Sequence, residues 1–341
     1  MTVRDFPVRQ IPAHELYGDF WLNSEPVPIT ALKGRVILLD FWDYTDCSSL
    51  RAMPYLNEWH KRYSQYGLVV VGVHTPKFPF GKRPDIVQRA IERLKIEYPV
   101  VMDNESMIWS SYGNHIWPTK HLIDKEGFVR CTVAGEGSYA AMEQVIHSLL
   151  YNAGVTEELP LVLEPMHDSD RVGAVTFRGT PELFAGYLRG SVGNIEGYSP
   201  ESVVEYADPK IYFDGRLYLD GNWMNDRNSV RHQDDDREGQ VIVNYSSLEV
   251  NAVIDNVNHD EFEVVVRQDD NFLSSENRGD DVLIETDGRS VMRIAEPKMY
   301  NVVKNKEFGE HVLRLSTRSN AFGLCSLAFV SGVIPEMFSN N

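Results

Sequence analysis

Cysteine is scarce in this chain of 341 residues: Cys47, Cys131 and Cys325 are the only three. An odd number of widely separated thiols is no disulfide framework, so packing must hold the fold together. Long apolar runs are missing as well. No stretch approaches the ~18 consecutive apolar residues of a membrane span. Basic side chains are in deficit, with 33 Lys and Arg against 50 Asp and Glu, for a net charge of −17. Nucleic-acid surfaces need concentrated positive charge, so that class of partner is excluded. The 10 histidines form no His-x-His pair and no His-Glu-x-x-His, which indicates neither a metal site nor another cofactor. The opening Met1-Thr2-Val3-Arg4-Asp5-Phe6-Pro7 has an early acid and a proline but no apolar core, unlike a signal peptide. A cytoplasmic location is therefore expected; a periplasmic or extracellular one would require that Met1 is not the natural start. Internal repeats are absent, and the one biased tract is Asp234-Asp235-Asp236.

Hydrophobic residues make up 43 % of the chain, enough for packed cores, and the length suggests two domains. Charge is unevenly shared between them. Residues 1–150 hold 16 basic and 17 acidic side chains, net −1, whereas residues 151–341 hold 17 and 33, net −16. A step of this size marks two units with different surfaces. In the first, Arg35 to Trp42 and Leu68 to Val73 are short apolar runs of the kind buried on both faces of a sheet. Leu50, Met53, Leu56, Trp59 and Tyr63 recur at helical spacing before Gly67, and Asp85 to Leu94 and Ala140 to Leu150 carry similar stripes. Tyr98 to Met102 reads as a strand, and His121 to Arg130 as a hairpin turning at Asp124 and Gly127. The pattern is a three-layer α/β unit over residues 1–150. Pro160 and Pro165 mark a connector over 151–179.

Residues 180–341 alternate at period two. Lys210–Phe213, Leu217–Leu219, Gln240–Tyr245, Phe262–Val266, Val282–Ile284, Tyr300–Val303, His311–Leu315 and Ser326–Val330 are the expected strands. Asp214-Gly215, Asp220-Gly221, Asp287-Gly288 and Phe308-Gly309 are the expected turns. Many short strands at this spacing predict an all-β jelly-roll-like sandwich, comparable to a carbohydrate-binding module.

The chemistry-bearing segment runs Asp40-Phe41-Trp42-Asp43-Tyr44-Thr45-Asp46-Cys47-Ser48-Ser49-Leu50-Arg51-Ala52-Met53-Pro54-Tyr55-Leu56, from a buried strand into a proline-containing helix. It resembles the thioredoxin superfamily, and more narrowly the redoxins of the TlpA/DipZ group, which are of the AhpC/TSA type. Phe20-Trp21-Leu22-Asn23-Ser24 with Leu32-Lys33-Gly34-Arg35 resembles that group's N-terminal hairpin. Trp117-Pro118-Thr119 resembles its cis-proline loop, and Gly135-Glu136-Gly137-Ser138-Tyr139 its Gly-Glu-Gly-x-Tyr turn. The likeness covers about residues 18–150, with the motifs in the family's order. A looser one continues at Thr180-Pro181-Glu182 and Gly186-Tyr187, like the start of the β domain that follows in DipZ-like proteins. The resemblance implies a thioredoxin fold, thiol or disulfide substrates, and a substrate groove lined by Trp42, Trp117 and Pro118.

The departure from the family matters more than the match. The family's helix begins Cys-x-x-Cys, and those cysteines fall on Asp46 and Ser49. A dithiol relay needs one thiolate to attack a disulfide and a second to resolve the mixed disulfide; Ser49 offers no sulfur for that step. What remains is a carboxylate and one thiol at a helix N-terminus. Asp46 suits the cap position, with Ser48 or Ser49 assisting, and this alone would describe a degenerate site. Alternatively Cys47 is a one-cysteine thiol or peroxide-reactive group, favoured by the helix field and opposed by an ionised Asp46. Thr45 and Arg51 complete this candidate set, Arg51 as an anion partner. A peroxidase is the weaker form, because peroxiredoxin-like sites place Thr three residues before the thiol and Thr45 stands two before Cys47.

Cys131 and Cys325 read as packed thiols and His115 as a loop residue. In the β unit Tyr187, Tyr198, Tyr212, Tyr218 and Trp223 form either a core or a stacking surface for carbohydrate, core being the commoner use of aromatics. The rival to redox chemistry is thus a non-catalytic scaffold whose β domain binds carbohydrate or a protein. Asp234–Asp236 reads as a solvated loop, lacking the spaced oxygen donors of a calcium site.

Overall fold

The computed structural model describes residues 10–18, 20–257 and 261–335. The reading of Met1–Pro7, the first residues of the 1–150 unit and the last of the 180–341 unit lie outside these. Two compact units are present, residues 1–170 and 171–341.

The first unit opens with β1 (Ile11–Pro12), β2 (Phe20–Leu22), β3 (Val36–Trp42) and α1 (Cys47–Tyr63). There follow β4 (Leu68–His74), α2 (Pro84–Arg93), β5 (Val100–Met102) and α3 (Met107–Ser111). It ends with β6 (Thr119–Ile123), β7 (Phe128–Ala134) and α4 (Tyr139–Ala153). The strands form one sheet in the order β1-β7-β6-β3-β4-β5-β2. β3 lies parallel to β4 and antiparallel to β6, and all seven of its residues are buried, as suits a strand that is apolar but for Asp40. Ala52, Met53, Leu56, Trp59 and Tyr63 form the buried stripe of α1, and Gly67 ends the turn after it at φ 102°. The expected hairpin at residues 20–35 does not form. Phe20–Leu22 pairs with β5, and Ile29–Leu32 winds into a 3-10 turn instead. The Trp117–Pro118 bond is cis. Residues 159–170, part of the expected connector, belong to the first unit and lie along α1 and α4. Arg62 donates to the Leu161 carbonyl, Leu163 N–H to Glu143 at 3.0 Å, and Met166 N–H to the Tyr55 hydroxyl at 2.6 Å.

The second unit is all-β. Its strands are β8 (Leu183–Phe184), β9 (Val203–Tyr206), β10 (Leu217–Asn225), β11 (Val230–His232) and β12 (Gly239–Asn256). After them come β13 (Phe262–Gln268), β14 (Asn271–Phe272), β15 (Val282–Ile284), β16 (Ser290–Ile294), β17 (Lys298–Thr317) and β18 (Phe322–Val330). β12 pairs with β10 through its first half and with β18 through its second, while β11 joins β10 to β18. Hydrogen bonding therefore runs round a closed circuit of these four strands, while β15 and β8 stand at the ends of the strand order. Inward side chains from these strands, Trp223, Tyr206 and Tyr245 among them, form the core.

Three local expectations fail here. Lys210–Phe213 is not a strand. Asp220-Gly221 lies within β10, and Phe308-Gly309 within β17, so neither is a turn. At the second place the pairing partner decides: β17 follows β12 almost throughout and absorbs the irregularity as a register shift between Ser247 and Glu249.

Candidate functional site at the start of the first long helix

Asp46 caps α1 from an extended backbone, φ −100° and ψ 119°. Its Oδ1 accepts the Ser49 backbone N–H at 2.8 Å and the Ser49 hydroxyl at 3.0 Å. The two positions that hold cysteines in the resembled motif are thus joined by a hydrogen bond. Cys47 is the first residue of the helix, partly exposed and in no disulfide.

Lys77, in the loop after β4, brings its Nζ to 3.1 Å from Asp46 Oδ2. The side chains are only 5 % and 12 % exposed, so water screens this ion pair poorly. Asp43 places both partners. Fully buried, it accepts the Thr45 N–H at 2.6 Å and the Thr45 hydroxyl on Oδ1, and the Lys77 N–H at 2.9 Å on Oδ2. One carboxylate therefore ties the loop before α1 to the loop after β4. Beside it His74 is wholly buried, stacked on Tyr44 and edge-on to Trp42. Burial lowers the His74 pKa, with nearby Asp43 pulling the other way. On the neighbouring strands β3 and β6, Asp40 and Lys120 form an ion pair at 3.4 Å, each about 1 % exposed. Burial raises the Asp40 pKa and the Lys120 charge lowers it, the first effect being the larger.

Asp46, Cys47 and Ser49 come together as the sequence implied. The other candidates are drawn elsewhere. The Thr45 hydroxyl is committed to Asp43. Arg51 donates to Glu136 at 2.5 Å and to Ser169 at 3.0 Å, so its charge is answered inside the chain. Trp42 is 0 % exposed and lines no open groove, a correction that follows from its place at the end of a strand buried on both faces. Trp117 is partly exposed, donates to the Thr75 carbonyl and packs on Trp109; Pro118 is buried. His115 is an exposed residue. Cys325 is buried, and desolvation pushes its pKa well up; Cys131 is partly exposed, with a pKa also raised by burial.

In the β unit Trp223 and Tyr218 are core residues. Tyr198 donates to the Ala185 carbonyl, Tyr212 to Asp208 and Tyr187 to Glu201. These aromatics do not line up as a stacking face. Asp234 and Asp235 accept from Asn222 and Asn320, and no group of metal-ligating side chains occurs among the described residues. No helix among them is long and apolar enough to cross a membrane.

Sequence reasoning missed Lys77, Asp43 and the Asp40–Lys120 pair. The last had a visible signal: a charged residue inside an apolar strand is rarely buried without a partner. Lys77 had none, since its partner lies 31 positions away across a strand and a helix.

Comparison with known proteins gives a match to the AhpC/TSA family over residues 9–132 and to a thioredoxin-like C-terminal domain over residues 180–329. Protein DipZ of Mycobacterium bovis is 37 % identical over 183 residues, covering 52 % of this chain and 25 % of that protein. The chain thus spans about a quarter of the length of that relative. The thiol-disulfide oxidoreductase ResA of Geobacillus thermodenitrificans is 28 % identical over 121 residues, 36 % of this chain and 67 % of that one. A thioredoxin-like protein solved in its oxidized form is 27 % identical, with a TM-score of 0.39 over 42 % of this chain and 97 % of that one.

Proposed function

We propose that this chain, which belongs to the thioredoxin superfamily as a redoxin of the TlpA/DipZ kind, exchanges thiols with disulfide substrates through Cys47 alone. The observation that carries this reading is the setting of Cys47: first residue of a 17-residue helix, partly exposed, beside a carboxylate already held by Ser49 and Lys77. Backbone N–H groups at a helix start favour a thiolate. That thiolate attacks one sulfur of a substrate disulfide; the S–S bond breaks, a mixed disulfide forms on Cys47 and the other sulfur leaves as thiolate. A small external thiol then attacks the Cys47 sulfur and releases the reduced substrate. A second frees Cys47 as the small disulfide departs. Ser49 cannot take the resolving role, so turnover depends on the external thiol. Disulfide exchange is favoured over peroxide chemistry because the Thr45 hydroxyl and the Arg51 guanidinium are engaged by Asp43 and Glu136. Three cysteines outside any disulfide suit a reducing compartment such as the cytoplasm.

The test is stopped-flow reaction with an aromatic disulfide probe at neutral pH. One thiol should react faster than free cysteine, and Cys47→Ser should abolish that phase, leaving Cys131 and Cys325 slow. A Cys47 no faster than free cysteine overturns the reading. Reduction of insulin by dithiothreitol should not be accelerated as a Cys-x-x-Cys protein accelerates it, and comparable turnover would also count against a one-cysteine site.

A further inference from the structure

We propose that Lys77 is a positioning residue for Cys47, acting through Asp46 to offset an adjacent negative charge that opposes a thiolate. The inference rests on the single-cysteine reading above. An ionised carboxylate next to a cysteine disfavours the thiolate, and an ammonium within about 4 Å of that carboxylate cancels most of its field at a site poorly screened by water. Lys77 Nζ stands 3.1 Å from Asp46 Oδ2, and the two side chains are 5 % and 12 % exposed.

The placement is built, not incidental. The Lys77 backbone N–H is fixed at 2.9 Å on Asp43 Oδ2, and the other oxygen of Asp43 fixes the Thr45 N–H just ahead of the helix cap. Asp43 is wholly buried, so these contacts set the spacing between the two loops. Asp46 divides its work: Oδ1 satisfies the helix start through Ser49, and Oδ2 faces the lysine. One carboxylate oxygen thus serves the helix amide and the other pairs with the ammonium.

A double-mutant cycle on the full chain tests this, reading the rate of Cys47 with the same disulfide probe and the pH midpoint of that rate. Lys77→Gln should slow Cys47 at pH 7 by roughly threefold to tenfold and move the midpoint upward, the effect of exposing a neighbouring charge worth about half to one pKa unit. Lys77→Arg should keep the rate within about twofold, since it preserves the charge. Asp46→Asn leaves the ammonium unanswered and should speed Cys47, and adding Lys77→Gln to it should return the rate to about that of the unmodified chain. A double variant as slow as Lys77→Gln alone, or no slowing by Lys77→Gln, overturns the proposal while leaving Cys47 as the reactive thiol. Should Lys77→Gln fail to fold, Asp46→Asn and Lys77→Arg still decide. A faster Cys47 in the first and an unchanged one in the second support the proposal, and a slower Cys47 in Asp46→Asn contradicts it. A slow Cys47 in the unmodified protein would defeat the single-cysteine reading itself, a different result.

Discussion

Buried histidines give the first unit a pH response that can be assigned residue by residue. His121 is 4 % exposed on β6, its Nε2 at 2.9 Å from Asn114 Oδ1 and its Nδ1 at 2.9 Å from Thr132 Oγ1. Burial lowers its pKa from 6.5 to about 4. The unfolded chain thus takes up this proton near pH 6.5 and the folded chain only near 4, so acidification through that window favours unfolding. The loss should reach about 3 kcal/mol below pH 4, taking 1.36 kcal/mol for each pKa unit. Urea titrations at pH 7 and pH 4.5 check it. The pH-dependent loss should be smaller by about 2 kcal/mol in His121→Gln than in the unmodified chain; an identical loss in both would show that His121 is not the group responsible.

At the scale of the element, the first turn of α1 joins Asp46 to Ser49, three positions on, with Cys47 between them. Ser49 Oγ and Asp46 Oδ1 meet at 3.0 Å, so thiols at the same two positions would lie within reach of each other. The variant Asp46→Cys, Ser49→Cys in a Cys47→Ser background should form a 46–49 disulfide on mild oxidation and gain insulin reductase activity. Its stability cost should be about 1 kcal/mol from the lost cap, plus whatever follows from leaving Lys77 without Asp46. Thiol titration with peptide mapping reads the outcome; two accessible thiols that never pair would refute the alignment of the motif. The helix itself was legible because Met53, Leu56, Trp59 and Tyr63 recur at its period, and β3 and β4 because apolar residues dominate their short runs. Elsewhere long-range pairing overrode the local pattern. Phe308-Gly309 carries a turn signal, yet β12 holds that segment in a strand, while Lys210–Phe213 alternates correctly and finds no partner. Asp46 was readable as a cap from its neighbours alone, but nothing local links it to Lys77.

For the whole molecule, the charge contrast is smaller at the division after Asp170 than at residue 150: residues 1–170 hold 16 basic and 22 acidic side chains, net −6, and residues 171–341 hold 17 and 28, net −11. Residues 159–170 are held along the first unit by Tyr55, Arg51, Arg62 and Glu143, whereas Arg171, Val172 and Gly173 are exposed. Limited trypsin digestion should therefore cut first at Arg171, giving two fragments of similar size that each keep cooperative unfolding. Mass spectrometry of the earliest products checks it, and with proteinase K run in parallel, a first cut between Val155 and Asp170 would mean that those hydrogen bonds do not hold the segment down. The hydrogen bond between Asp46 and Ser49 carries a consequence for how the chain behaves from one environment to another. A Cys-x-x-Cys pair has a midpoint potential, and the surface around it alternates between two forms as the surrounding glutathione is oxidised or reduced. A carboxylate and a hydroxyl have no such potential. Positions 46 and 49 of this chain therefore open and close no disulfide as the thiol poise changes, and the redox response left to this helix start is a mixed disulfide on Cys47.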